Sequence, residues 1–330
     1  MEMRSDRRSL LIYACQIGLL AGLPGRAQAA SWPAKPVTIV VPYGAGGGAD
    51  ILGRILAEEL SIDLKERFLV ENKAGMSGSL GVGYAAKSAP DGYTFVLCTV
   101  GAQITNPFLY KKLPYDPMAD LVPVVHLTTP PNILVAHASL GVSTVKELIA
   151  LGKTRAEPLL FATTGTGSSS NLSAELFKSM AGIKITPVAY QSSAQAALDL
   201  TTGRVHATID SLTSMINYTE AGGQLKLLAV ATRDRLANYE KVPTIGETLP
   251  GFDASPLLYI SAPTGTPPDI VATLNTAINK IISRPAIAAK LLGLGYPVGG
   301  GTAQDLAAII EEERKKWRAV IVSAGLMATE

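Results

Sequence analysis

The chain is poor in the side chains that most often carry chemistry, with two cysteines and three histidines in 330 residues. Cys15 lies in an apolar N-terminal stretch, so Cys98 is the single thiol beyond it. One thiol excludes an intramolecular disulfide and suits an oxidising compartment. His126, His137 and His206 stand apart, without metal-ligand spacing or a cysteine partner, and read as structural or surface residues. Excess charge of either sign is also lacking. The formal charge of +2 is carried by residues 1–29, which hold Arg4, Arg7, Arg8 and Arg26 against Glu2 and Asp6. The remainder is near neutral and has no basic stripe for a nucleic acid to track, so no nucleic-acid partner is expected. Beyond the first thirty residues no apolar run approaches the roughly 20 residues that cross a bilayer.

The N-terminus sets the expected compartment. Arg4, Arg7 and Arg8 precede a mostly apolar run over 10–23, and Ala27-Gln28-Ala29 supplies small residues for cleavage. This is the layout of a cleavable secretory signal over residues 1–29, which predicts a periplasmic protein. Cys15, Gln16 and Gly18 interrupt the apolar core, which is too short for a comfortable membrane span. Arg7-Arg8 before Ser9-Leu10-Leu11 leaves the twin-arginine route open beside the general one. Tyr13 and the position of the apolar residues after Cys15 argue against lipidation.

From residue 30 onward, strand-like runs alternate with helical periods, the pattern of an α/β fold with mainly parallel sheets. Strands are expected over 37–41, 94–100, 132–136, 159–163, 205–209 and 225–231. Ile51, Leu52, Ile55, Leu56 and Leu60 recur at helical spacing, as do Leu172, Leu176, Phe177 and Met180 before a stop at Gly182. A helix over 193–202 is closed by Gly203. Near the C-terminus, Thr302 and Asp305 resemble a capping pair for a helix with Leu306, Ile310, Trp317 and Val320 on one face, and Gly325 ends it. Glu311–Lys315 and Glu312–Lys316 are expected ion pairs on its solvated face. Proline-rich breaks at 128–131 and 262–268 bracket a central block of about 125 residues, which is domain-sized. The expected organisation is a discontinuous domain of 30–131 with 256–330, a second domain of 132–255, and a hinge of two crossovers.

Two loops are candidates for binding. Residues 42–50, Pro-Tyr-Gly-Ala-Gly-Gly-Gly-Ala-Asp, stand between a strand and a helix. Glycines let a ligand approach the backbone closely, and the open amides of the helix start carry the positive end of its dipole. Residues 163–170, Thr-Thr-Gly-Thr-Gly-Ser-Ser-Ser, repeat the arrangement with hydroxyls added. Two helix N-termini facing each other across a cleft would grip a carboxylate, and the ligand would drive closure. Asp50 and Asp210 are expected at the cleft edge, with helix capping the alternative for Asp50. Tyr43 packs over a ligand or covers its own loop.

An enzyme reading competes. Residues 44–49 satisfy a dinucleotide-binding fingerprint, and Glu71 comes about 20 residues later, which would make the chain an exported nicotinamide-dependent dehydrogenase. Pro42 and Tyr43 intrude where that fingerprint needs a tight turn. Ser168 lacks the second glycine of a nucleophile elbow. Binding without chemistry and without a cofactor is the leading expectation.

Longer stretches carry a family resemblance. Residues 32–37 (Trp-Pro-Ala-Lys-Pro-Val) run into 41–50, and then come Glu71-Asn72-Lys73-Ala74-Gly75, Pro90-Asp91-Gly92-Tyr93-Thr94 and Asn106-Pro107-Phe108-Leu109-Tyr110. Leu113-Pro114-Tyr115-Asp116-Pro117, Leu228-Ala229-Val230, Val242-Pro243-Thr244 and residues 262–267 complete the series. The chain resembles the substrate-binding receptors of tripartite tricarboxylate transporters, the Bug or TctC type. The resemblance implies a type II-like periplasmic binding protein fold, two α/β domains joined by two crossing strands with a ligand cleft between them. It implies a monomeric receptor that delivers a dicarboxylate, acidic amino acid or aromatic acid to a membrane permease. It also implies site residues by position. The first loop is Tyr43, Ala45, Gly46, Gly47, Gly48 and Asp50, and the second is Thr164, Gly167, Ser168, Ser169 and Asn171. Gln103 would face the cleft. Asn171 stands where the family usually has histidine, Gln191 and Ser192 occupy its Tyr-Lys-Gly-Ser segment, and His206 replaces a common acidic residue. A missing lysine weakens the case for a highly anionic cargo and favours a mono- or dicarboxylate with a less charged far end.

Overall fold

The computed structural model describes residues 32–220 and 223–328. The expected export signal lies outside them. From Lys35 onward the chain packs as one compact unit.

The first half opens with β1 (Val37–Val41), a β-branched run covered on both faces. Helix α1 (Gly48–Leu64) turns Leu52, Ile55, Leu56 and Leu60 inward at the spacing that makes one helical face. Next come β2 (Phe68–Asn72), α2 (Ser79–Ala86) and β3 (Thr94–Thr99). A π-wound turn, Val100–Thr105, leads to α3 (Asn106–Leu109) and β4 (Leu121–Thr128). The second half runs β5 (Asn132–His137), α4 (Val145–Thr154), β6 (Leu159–Thr163), α5 (Ser169–Ala181), β7 (Ile185–Ala189), α6 (Ser193–Thr201), β8 (Ala207–Ser211), α7 (Leu212–Glu220) and β9 (Leu225–Val230). The chain then returns to the first half as β10 (Leu258–Pro263), α8 (Pro268–Ile282), α9 (Pro285–Gly293) and α10 (Ala303–Ser323).

The two sheets share one plan. Their strand orders are β2-β1-β3-β10-β4 and β7-β6-β8-β5-β9. β1 runs parallel to β2 and β3, and β6 runs parallel to β7 and β8. The expectation of mainly parallel sheets needs a correction, because β10 and β5 are antiparallel to both neighbours. Each is the first strand after a crossing. A strand arriving from the other half enters at the edge where the parallel strands end, so it must run against them.

The crossings lie side by side. Leu258 at the start of β10 pairs with Thr128 at the end of β4. Buried Asn132 donates to the Ala254 carbonyl at 3.2 Å and to Ser169 Oγ at 2.9 Å, tying both crossing segments to the start of α5. α10 carries the expected Thr302–Asp305 capping box and packs on β4, the π turn and α5, so it touches both halves. Its Lys316 pairs with Glu313 instead of the expected Glu312, because Glu313 is anchored by Trp317 Nε1 at 2.7 Å. The expected 205–209 strand sits at Ala207–Ser211, since Asp210 and Ser211 stay in register with Ile133 and Asn132.

Candidate functional site

All six parallel strands aim their C-terminal ends at one cleft of about 630 Å³, within the range of small-molecule sites. The residues just past β1, β2, β6, β7 and β8 line it, and each of these strands leads into a helix. Five helix N-termini, those of α1, α2, α5, α6 and α7, therefore converge on one space. Each brings first-turn amides without intrahelical partners and the positive end of a dipole. The side chains add little charge. Among the described residues, Asp210 is the only ionisable carboxyl in the lining, and no lysine, arginine or histidine lines it.

The two expected loops have matching internal geometry. In the first, Gly46 has φ +81° and Gly47 is the helix N-cap, with no side chain to cap it. Asp50 Oδ2 reaches back to accept from Gly46 N at 2.8 Å and from Arg54 Nε at 2.9 Å. Its Oδ1 accepts from Asn72 Nδ2, which also donates to the Tyr43 carbonyl. The Arg54 bond, helped by the Gly46 amide and Asn72, holds the Asp50 carboxyl at about 2 despite its burial. In the second loop, Gly167 has φ +78° and Ser168 is the N-cap, its Oγ accepting from Asn171 N at 3.2 Å. Asn171 Oδ1 then accepts from Gly167 N at 3.1 Å. Asp50 and Asn171 thus occupy the same position and fasten the same amide, one charged and one neutral. The Thr164 amide is held by Ser170 Oγ at 2.9 Å, which shapes the entry to the turn.

Of the expected site residues, Tyr43, Gly47, Gly48, Thr164, Gly167, Ser168, Ser169 and Asp210 line the cleft. Ala45, Gly46, Asp50, Gln103 and Asn171 do not. Asp50 and Asn171 spend their acceptors inside the turns. Gln103 is buried, donates to the Pro117 carbonyl at 3.0 Å and accepts from Ser261 Oγ at 3.3 Å. The π winding after β3 carries it into the core, where strand alternation continued to Val100 would have turned it outward. Tyr43 covers its own loop and holds Thr99 Oγ1 at 2.7 Å while facing the cleft.

Two further helix starts line the cleft: Gln191, Ser192 and Ser193 from the segment that departs from the family pattern, and Ser211, Thr213 and Ser214, which went unread in the sequence. Tyr296 and Trp317 arrive from the C-terminal segment, and the Tyr296 hydroxyl lies where a side chain on Gly48 would begin. With Leu172, Leu258 and Val100 they add apolar surface to the cleft lining. The halves also touch beside it, with Ser77 Oγ donating to the Thr166 carbonyl at 3.4 Å.

The family model for the tripartite tricarboxylate transporter family receptor matches residues 52–326. Protein BugT of Bordetella pertussis is 33% identical over 307 residues, covering 92% of this chain and 94% of the relative. The solved R. palustris protein Rpa4515 with adipate is 39% identical with TM-score 0.81, covering 89% of this chain and 98% of that one. MatC from Rhodopseudomonas palustris with bound malate is 29% identical with TM-score 0.77, over 88% and 100%. The periplasmic binding protein BugD is 28% identical with TM-score 0.78, over 90% and 100%.

Proposed function

We propose a cargo and a mode of capture on this footing: the chain belongs to the tripartite tricarboxylate transporter receptor family. Members of that family are receptors, so the cleft is a binding site and not an active site. The dehydrogenase alternative falls with that assignment. Its ribose-binding residue, Glu71, pairs instead with Lys73 at 2.8 Å and lies outside the cleft lining.

The cargo is a small carboxylate, most simply a dicarboxylate with an aliphatic spacer, captured in the periplasm for a membrane permease. One observation carries this reading: among the described residues, five helix starts and no cationic side chain surround a cleft whose lining also holds apolar side chains. Helix N-termini stabilise an anion, and amides aimed from both halves fix one carboxylate. The apolar lining residues Leu172, Leu258 and Trp317 suit methylenes more than hydroxyl-rich or highly charged groups. Relatives solved with adipate and with malate support a dicarboxylate class.

Isothermal titration of the purified protein tests the proposal, with succinate, malate, adipate and benzoate each run against its amide. Saturable binding of an acid and none of its amide is expected. Equal binding of acid and amide, or binding of none of the acids, would contradict it.

A further inference from the structure

Tyr296 reaches the cleft from the connection between α9 and α10, and the backbone on both sides of it is fixed. Gly295, with φ +77°, ends α9. The Gly295 amide donates to the Leu292 carbonyl and the Tyr296 amide to that of Leu291, both at 2.9 Å, the paired bonds of a left-handed helix stop. Further along, Gly299 N donates to the Leu127 carbonyl and Gly300 N to that of His126, both at 2.9 Å, which straps the chain to β4. The tip of the connection also meets the other half. A Cβ on Gly295 would lie 2.5 Å from Thr213 Cγ2, in the first turn of α7.

The Tyr296 side chain is 7% exposed and lines the cleft. A Cβ on Gly48 would meet the Tyr296 hydroxyl and, at 3.5 Å, its Cζ, with no other group within 4 Å. Among the described residues nothing hydrogen-bonds this hydroxyl, yet it is not sealed from solvent. A tyrosine buried to this extent ordinarily finds a partner for its O–H. Burial alone acts on the phenol and raises it above its ordinary value, so it keeps its proton at neutral pH and can donate. Beside it, α1 begins after Gly47, which has no side chain to cap the first-turn amides. An idle O–H and uncapped N–H groups therefore share one corner of the cleft.

We propose that Tyr296 is a ligand-contacting specificity residue whose hydroxyl donates a hydrogen bond to the carboxylate seated on the first turn of α1. The inference rests on the carboxylate-receptor reading and deepens it. The phenol stays protonated, and no covalent bond changes. A hydroxyl donating to a carboxylate makes a charge-assisted bond, stronger than one to the neutral carbonyl of an amide, so Tyr296 adds to the preference for an acid. Gly48 is its counterpart, a position without a side chain because the hydroxyl occupies that space.

The test titrates succinate, malate, adipate and benzoate calorimetrically into the wild type and into Tyr296→Phe, which removes the hydroxyl and keeps the ring. For every acid that binds, the variant is expected to lose at least about fivefold in affinity, and a smaller loss overturns the inference. The ligand-free variant should melt at the wild-type temperature, because the hydroxyl has no protein partner to lose. A lower melting temperature would mean that the hydroxyl already serves the protein, and it also overturns the inference. A crystal structure of the wild type with the tightest of these acids needs no variant. It should place a carboxylate oxygen about 2.5–2.8 Å from the Tyr296 hydroxyl, and a hydroxyl without a ligand contact overturns the assignment. Wild type that binds no acid of the panel defeats the receptor reading itself, whereas tight wild-type binding that Tyr296→Phe leaves unchanged defeats only the role of Tyr296.

Discussion

In the first half of the molecule the turn into α1 is held by a carboxylate, Asp50, neutralised by Arg54. In the second half the turn into α5 is held by an amide, Asn171, and capped by the Ser168 hydroxyl. Both fasten the amide of a glycine with nearly the same positive φ. The same backbone shape is thus reached with and without a charge. The shape is therefore what the site requires, because it exposes the first-turn amides. The surroundings differ more than the turns do. A Cβ on Gly46 would meet nothing within 4 Å, whereas one on Gly167 would lie 2.8 Å from Leu109 Cδ1 and 3.3 Å from Asn106 Oδ1. The first turn is open, and the second is wedged against the opposite half.

Breaking that contrast should give the largest effect. Gly167→Val suffers positive-φ strain and also forces Leu109 and Asn106 of the opposite half to give way. Dicarboxylate affinity should fall by about a hundredfold or more, beyond the ~1–2 kcal/mol that left-handed strain alone accounts for. Gly46→Val meets only the strain. Calorimetric titration and thermal melts of the two variants check this, and equal losses would show that the wedge has no role in binding.

A charge exchange sharpens the comparison with a smaller effect. Asn171→Asp keeps an acceptor for Gly167 N but adds a negative charge with no arginine beside it. Carboxylate affinity should drop about tenfold at low salt, with part of the loss recovered at high salt. Asp50→Asn retains the Gly46 bond and should bind nearly as the wild type does. Titrations at two ionic strengths distinguish the cases.

The smallest effect appears in acid. The Asp50 carboxyl is held at about 2, so its contribution to stability is complete above the ordinary carboxylate range and is lost as pH falls toward 2. Asp50→Asn removes that contribution at neutral pH and shows a shallower acid limb in unfolding monitored by circular dichroism. An unchanged acid limb would show that Arg54 and Gly46 do not secure the turn.

Much of this plan was legible in the sequence, and the failures have physical causes. The strand at 37–41, the strand at 159–163 and the capped C-terminal helix fall where periodicity and caps put them. β4, β7 and β10 escaped because each contains a proline, Pro123, Pro187 or Pro263. Proline demotes a run as a strand, yet β4 and β7 are sheet edges and Pro263 ends its strand, where proline is tolerated. Both cleft-lining turns were found from their glycines. The inward role of Asp50 was read only as the capping alternative, and that of Asn171 was not read, because a side chain reaching back to its own turn has the same sequence signature as one reaching a ligand. Tyr296 and Trp317 come from distant chain that only the fold brings to the cleft.

We propose a grip on one carboxylate by backbone amides of two opposed turns, and a crystal structure of the protein with adipate tests it without intermediaries. One carboxylate should have its oxygens within about 2.7–3.2 Å of first-turn amides from both the 47–49 and the 168–170 segments. A carboxylate held by side chains alone, or by one half only, would refute the two-turn grip.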